Sequence, residues 1–141
     1  MSEDFVLHER LAADCSWLGD FPLCRLLLLE DANYPWFILV PRRPGLCELH
    51  ELEVADQARF MVESSLLARA MEKAFSPDKL NIASLGNLVP QLHVHHIARY
   101  RDDPAWPRPV WGHAPARPYT REERLARRER LLPIEGLNDR I

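Results

Sequence analysis

The sequence predicts an α+β domain: an antiparallel sheet of about five strands, one long helix packed on it, and a C-terminal arm ending in a helix. Three observations carry this expectation. Short runs rich in apolar, aromatic and β-branched residues at 23–30, 36–40, 79–85 and 91–99 are separated by polar or Gly/Pro links. From about Val54 to Phe75 there is no Pro or Gly, and strong helix formers dominate. Beyond Tyr100, five prolines at 104, 107, 109, 115 and 118 interrupt any regular element before Thr120-Arg121-Glu122-Glu123, which has capping-box form.

In chain order, Phe5 to Asp14 fits a short helix or a strand equally well. Gly19-Asp20 and Pro22 read as a turn before Leu23–Glu30, where four consecutive leucines suggest a strand buried on both faces. Asp31 to Pro35 is a short polar link, so Leu23–Glu30 and Trp36–Val40 read as an antiparallel hairpin. In the long helix, Phe60, Leu67, Met71 and Ala74 share one face. Lys79–Leu85 reads as a strand, Gly86-Asn87 as a tight turn, and Gln91–Arg99 as another strand. Residues 1–103 form the expected core of the domain. Residues 104–141 form a Pro/Trp-rich arm and an Arg-rich helix belonging to the same unit.

Composition narrows the function classes. The 141 residues carry 18 Lys+Arg against 21 Asp+Glu, a net charge of −3, so no global basic field points to nucleic acid or an anionic membrane. The balance is uneven: residues 1–98 hold 8 basic and 14 acidic side chains (−6), residues 99–141 hold 10 and 7 (+3). The arginines of the last helix read as a solvated face paired with Glu122 and Glu123. No apolar run approaches membrane-spanning length, and MSEDFVLHER is acidic where a secretory leader would be basic. Cys15, Cys24 and Cys47 are odd in number with no C-x-x-C, which suits free thiols in a reducing compartment, hence an expected cytoplasmic location. The five glycines at 19, 45, 86, 112 and 136 are too scattered for a phosphate-cradling loop of the G-x-x-x-x-G-K-[ST] or G-x-G-x-x-G type. If the protein handles phosphate, it does so by means other than such a loop.

The informative segment is Gln91-Leu92-His93-Val94-His95-His96-Ile97. Period-two alternation puts Gln91, His93 and His95 on one face of a strand, with Leu92, Val94 and His96 on the other. Three readings follow. The histidines are satisfied by local hydrogen bonds; or His93 and His95 bind a transition metal with a third ligand from elsewhere; or one imidazole is a nucleophile or acid/base while its neighbours hold substrate oxygens. Phosphate suits the third best, because imidazole attacks phosphorus readily and a neighbouring donor can stabilise the oxyanion.

The run Gly86-Asn87-Leu88-Val89-Pro90-Gln91-Leu92-His93-Val94-His95-His96-Ile97 resembles the histidine triad (HIT) motif, H-φ-H-φ-H-φ-φ with φ apolar. Trp36-Phe37-Ile38-Leu39-Val40-Pro41-Arg42-Arg43-Pro44 resembles that family's other recognisable segment, and the match covers about residues 20–100 in order. It is most similar to bacterial members labelled diadenosine-polyphosphate-hydrolase-like. The resemblance implies a HIT-like fold and a nucleotide phosphate-bond hydrolase or nucleotidyl transferase working through a covalent nucleotidyl-histidine. His93 matches the nucleophile and His95 the third histidine, which contacts phosphate oxygens. Asn81 and Asn87 match positions near phosphate or leaving group. Glu30 or Asp31 matches the ribose-holding group, and Leu29 falls near the base. The resemblance also implies a homodimer, a nucleotide as the small-molecule substrate, and no required cofactor, with magnesium able to accompany the substrate phosphates.

This chain departs from the motif at two places. Gln91 replaces the first histidine and can hydrogen-bond but cannot act as acid or base. That opens an alternative: a catalytically weak nucleotide-binding protein with a degenerate triad. His96 occupies an apolar φ position and reads as a core or interface histidine. Arg99, in phase with His93 and His95, reads either as a phosphate contact or as a solvated strand-end arginine. Trp106, Trp111 and His113 suit a dimer interface slightly better than a plug of their own core.

Overall fold

The computed structural model describes residues 5–140; Glu3 and Asp4 of the acidic start lie outside them. Helix α1 (Glu9–Asp14) leads into β1 (Cys15–Asp20), β2 (Cys24–Leu29) and β3 (Trp36–Pro41). A 3₁₀ turn (Leu49–Glu51) precedes α2 (Val54–Phe75), then β4 (Lys79–Ala83), β5 (Val94–Arg99), α3 (Arg121–Leu131) and β6 (Asn138–Asp139). The strands form one antiparallel sheet in the order β4-β5-β3-β2-β1-β6. The α+β expectation therefore holds, with six strands where about five were expected.

The extra strand explains why Gly19 lies within a strand and not in the expected turn. Asp20 still belongs to β1, and the chain reverses over Phe21–Leu23. Gly19 pairs with Asp139 of β6, and a Cβ on Gly19 would sit 2.6 Å from the Asn138 carbonyl oxygen. Glycine is there for close backbone approach, and Leu18 just before it is a bulge in the β1–β2 register. β6 is two exposed polar residues held by backbone pairing, so it carries no hydropathy pattern.

Each face of the sheet has its own cover. On one face Leu26, Leu28, Phe37, Leu39, Val94 and Ala98 pack with Phe60, Leu67, Met71 and Phe75 of α2, and with Tyr119, Leu131 and Ile134 of the C-terminal part. On the other, Leu27, Trp36, Ile38, Val40 and Ile97 pack with Leu11, Tyr34, Ala105 and Val110. Double-sided burial is why β2 and β3 read as unbroken apolar runs. The 104–118 arm is thus a second layer. Its anchor is Arg99, which is neither a free phosphate contact nor a solvated arginine: it is 2% exposed and paired with Asp103 at 2.8 Å. Arg99 also donates to the Arg108 carbonyl and to Asn81 Oδ1, each at 2.8 Å. The Asp103 carboxylate accepts in addition from the Tyr100, Ala105 and Trp106 amides. Burial works to raise the Asp103 pKa, but these donors hold it below the usual carboxylate value.

Two helix features have local causes. Thr120 and Glu123 form the capping box expected from their spacing. Inside α2, fully buried Glu63 accepts from the Leu23 and Cys24 amides at 2.9 and 2.8 Å and from Arg59 at 2.7 Å. A buried carboxylate with three donors is satisfied, and it ties the helix to the β1–β2 turn.

Candidate active site

The histidine segment reaches the sheet later than alternation alone suggests. β5 begins at Val94, because the Leu92 amide bonds the Leu46 carbonyl instead of a strand neighbour. Gly86, with φ +76°, turns the chain into this approach. His93 precedes the strand and His95 lies in it opposite Ile38, yet their rings meet edge to face with centroids 5.0 Å apart. Both are nearly buried, at 6% and 7% exposure.

The hydrogen bonds assign both tautomers. His93 Nδ1 lies 2.7 Å from the Gln91 carbonyl oxygen, which can only accept. Nδ1 therefore carries a proton, and in the neutral ring Nε2 keeps its lone pair. His95 Nδ1 lies 3.0 Å from Trp36 Nε1, and indole N–H can only donate. Here Nδ1 is the acceptor, so in the neutral ring Nε2 carries the proton. Burial first, then the His93 and His96 imidazoles, lower the His95 pKa to about 3. The pair thus presents one unprotonated Nε2 and one Nε2–H.

Trp36 was not among the residues singled out for the site. Its signal lay in β3, where Trp36 and Ile38 share a face and Ile38 pairs with His95. Trp111 completes the aromatic surround, 5.1 Å from His95 and 5.5 Å from Trp36 between ring centroids. This arm tryptophan therefore packs within its own chain, while His113 is exposed. Burial lowers the pKa of His96 to about 4 against the opposing effect of its bond to the Val94 carbonyl. His96 points to the α2 face and bonds Ser64 Oγ at 2.7 Å, as a core histidine does.

Gln91 has a task that its sequence neighbours do not reveal. Its Oε1 accepts from the His8 amide and its Nε2 donates to the Val6 carbonyl, both at 2.8 Å. The side chain clamps the segment before α1. Asn81 lies on β4 opposite Ile97, its Oδ1 taken by Arg99. Asn87 is exposed in the turn before the histidines. Glu30 is held by Arg124 in a two-point ion pair and by Ser16, and Arg124 leads in lowering its pKa. Asp31 is buried and accepts from the Asn33 and Arg117 amides, and Leu29 is partly buried against the core cluster that contains Trp36 and Ile97. The structure brings His93 and His95 together; it gives Gln91, Asn81, Glu30 and Asp31 partners elsewhere. Among the described residues, no three His, Cys, Asp or Glu side chains are grouped to hold a metal ion.

An antiparallel α+β sheet with two neighbouring imidazoles of opposite tautomer on one face defines a histidine-centred domain. Residues 10–102 match the model of the HIT domain, and the chain belongs to the HIT family. Family members are generally nucleotide-binding hydrolases or transferases. Among solved structures, the chain is similar to a histidine triad protein from Marinobacter aquaeolei VT8, at 53% identity over 90% of this chain and 93% of that one, TM-score 0.88. It is also similar to one from Bradyrhizobium japonicum (48%, 91% and 98%, TM-score 0.86). A third, from Sinorhizobium meliloti 1021, matches at 44% over 93% and 97%, TM-score 0.90. A comparison with curated proteins finds no match.

Proposed function

We propose that the chain cleaves or transfers nucleotidyl groups at nucleotide phosphate bonds, with His93 as nucleophile. The observation that carries this is the Nδ1 bond of His93 to the Gln91 carbonyl, which leaves Nε2 as the attacking lone pair. In the first step an Nε2–P bond forms at the α-phosphorus, and the bond to the leaving group breaks with its electron pair. Water or another acceptor then attacks the same phosphorus, loses its proton and releases His93. His95 donates Nε2–H to a phosphoryl oxygen, where charge develops. With its pKa near 3, His95 is a donor and has no imidazolium proton to hand over. Gln91 cannot supply one either, so the leaving group takes its proton from solvent or from the substrate.

The substrate class is a nucleoside phosphoramidate or a dinucleoside polyphosphate, as in the diadenosine-polyphosphate-hydrolase-like branch. Asn81, Asn87 and Leu29 belong to the substrate surface; Glu30 or Asp31 serves the ribose once its present bonds exchange. The protein needs no cofactor of its own, with magnesium arriving on the substrate, and it works in the cytoplasm. Among the described residues, no helix is long and apolar enough to cross a membrane. Met61 and Val62 on α2 and Ile82 on the outer strand β4 are 61%, 47% and 51% exposed, which supports a homodimer that covers them.

The test is incubation with adenosine 5′-phosphoramidate and with a dinucleoside polyphosphate, followed by trapping of an acid-labile nucleotidyl adduct. Wild type should turn over and form the adduct; His93→Ala should do neither. A wild-type protein that binds AMP yet shows no turnover and no adduct refutes the enzyme reading. That result would favour the second one, a nucleotide-binding protein with a degenerate triad, which the glutamine at the first motif position supports.

A further inference from the structure

A cavity of about 380 Å³ opens between α3, the C-terminal end of α2 and the loop before β3. Its lining includes Pro35, Phe75, Tyr100, Glu123, Arg127 and Arg130. Phe75 belongs to the α2 side of the sheet, so this cavity is separate from the face that carries His93 and His95.

Arg127 differs from the arginines that hold the nearby fold together. Arg99, Arg117 and Arg124 pair with Asp103, Glu123 and Glu30. Among the described residues, Arg127 has no carboxylate within ion-pair distance, and its Nη1 is buried without a hydrogen-bond acceptor. Its guanidinium lies between two rings, 5.6 Å from the Phe75 centroid and 5.5 Å from that of Tyr119. Arg130 stands 5.5 Å from the same Phe75 ring and bonds the Ala74 carbonyl. The carboxylate in the lining, Glu123, is already engaged by the Thr120 amide and Arg117. Tyr100 donates its hydroxyl proton to the Phe75 carbonyl. Two aromatic-braced cations thus face one cavity with no free carboxylate beside them, and the buried Arg127 Nη1 is a donor left without an acceptor, which is costly.

We propose that this cavity binds a small phosphate-bearing anion, either free phosphate or a phosphate monoester. Two guanidinium groups suit a tetrahedral dianion better than a single carboxylate, because each offers several N–H donors in a fixed plane. The volume exceeds what bare phosphate needs, and Phe75, Pro35 and the Tyr100 ring offer an apolar wall for an attached body.

The experiment follows the Arg127 Nε–Hε resonance by NMR at constant ionic strength, with inorganic phosphate, phenyl phosphate or acetate added against a chloride control. It is run on wild type and on His93→Ala, which separates this cavity from the histidine face. Calorimetry of the same titrations compares Arg127→Gln and Arg130→Gln. A saturable shift of Arg127 with both phosphates, unchanged in His93→Ala and weaker with acetate, is expected. Each arginine variant should weaken binding by about tenfold or more, the cost of a charge-assisted hydrogen bond. Tighter binding of phenyl phosphate identifies a monoester as the ligand; equal binding identifies free phosphate. Arg130 is exposed, so its variant keeps the test valid if Arg127→Gln does not fold. Absence of a saturable Arg127 shift, loss of the shift in His93→Ala, or unweakened binding in Arg130→Gln overturns the proposal.

Discussion

Replacing Trp36 with Phe should unlock His95. The indole N–H is the donor to His95 Nδ1, 3.0 Å away, and His95 is 7% exposed, so water does not readily replace it. A buried acceptor left without its donor costs about 1–3 kcal/mol. The smaller ring also loosens edge contacts that Trp36 makes with Tyr34 at 6.1 Å and with Trp111 at 5.5 Å. For a domain of this size each kcal/mol moves Tm by about 2–4 °C, so Trp36→Phe should melt about 2–12 °C lower. The more specific readout is the tautomer. A net hydrogen bond of about 1 kcal/mol biases the two neutral forms about fivefold, so the Nε2–H share of His95 should fall measurably in the variant. Imidazole ¹⁵N shifts at pH 7 report this directly. Under the proposed mechanism, transfer should slow by less than the 10²–10³-fold cost, an order-of-magnitude figure, of removing an oxyanion donor outright. A wild-type His95 carrying its proton on Nδ1, or a variant with unchanged tautomer and unchanged Tm, would refute the reasoning.

Three further outcomes follow from the same contacts. His95 and His96 have folded pKa values of about 3 and about 4 against an ordinary 6.5. As pH falls below 6.5 the unfolded chain takes up these protons first, so stability present at pH 7 is progressively lost towards pH 4; urea midpoints at pH 7, 5.5 and 4.5 should decline, and a flat series contradicts this. Gln91→Ala removes both bonds to the segment before α1, each worth about 1 kcal/mol, and should speed exchange of the His8 amide about tenfold or more. Unchanged exchange at His8 would mean that the clamp is dispensable. Asp103→Asn leaves the Arg99 charge without its partner where both side chains are nearly buried, at a cost of about 3–5 kcal/mol. It should lower Tm and open the 104–118 arm to limited proteolysis; an arm as resistant as wild type would show that its apolar contacts suffice.

What was legible in the chain was local and periodic. The hairpin of β2 and β3, the span of α2 and the Thr120 capping box each follow from spacing within a few residues, and each appears as expected. The rest was hidden for one reason: a polar side chain is explained by its partner, and the partner is usually far along the chain. Gln91 stands at the first triad position, but its side chain bonds residues 83 and 85 positions away, which its neighbours do not reveal. Arg99 looks like a strand-end charge, but it is the buried post on which the arm is hung. Glu63 sits on the core face of a helix where a carboxylate looks misplaced until the two amides of the β1–β2 turn are brought to it. β6 has no pattern at all, and only the bare backbone at Gly19 makes room for it.

The site shows where such reading could go further. His95 is two residues from His93, so a strand reading makes the two imidazoles look equivalent, and composition cannot say which one attacks. The difference is made by what each Nδ1 meets: a carbonyl of its own segment for His93, an indole from the neighbouring strand for His95. The first bond is local. The second needs the register that puts Ile38 opposite His95, after which period two places Trp36 on the same face one step along. Once β3 and β5 are neighbours, the indole donor follows and the tautomers part. Under the proposed function, nucleophile and donor are then distinguished by hydrogen-bond chemistry rather than by position in a motif. The first-position glutamine is compatible with this arrangement because its backbone carbonyl, and not its side chain, holds the His93 proton.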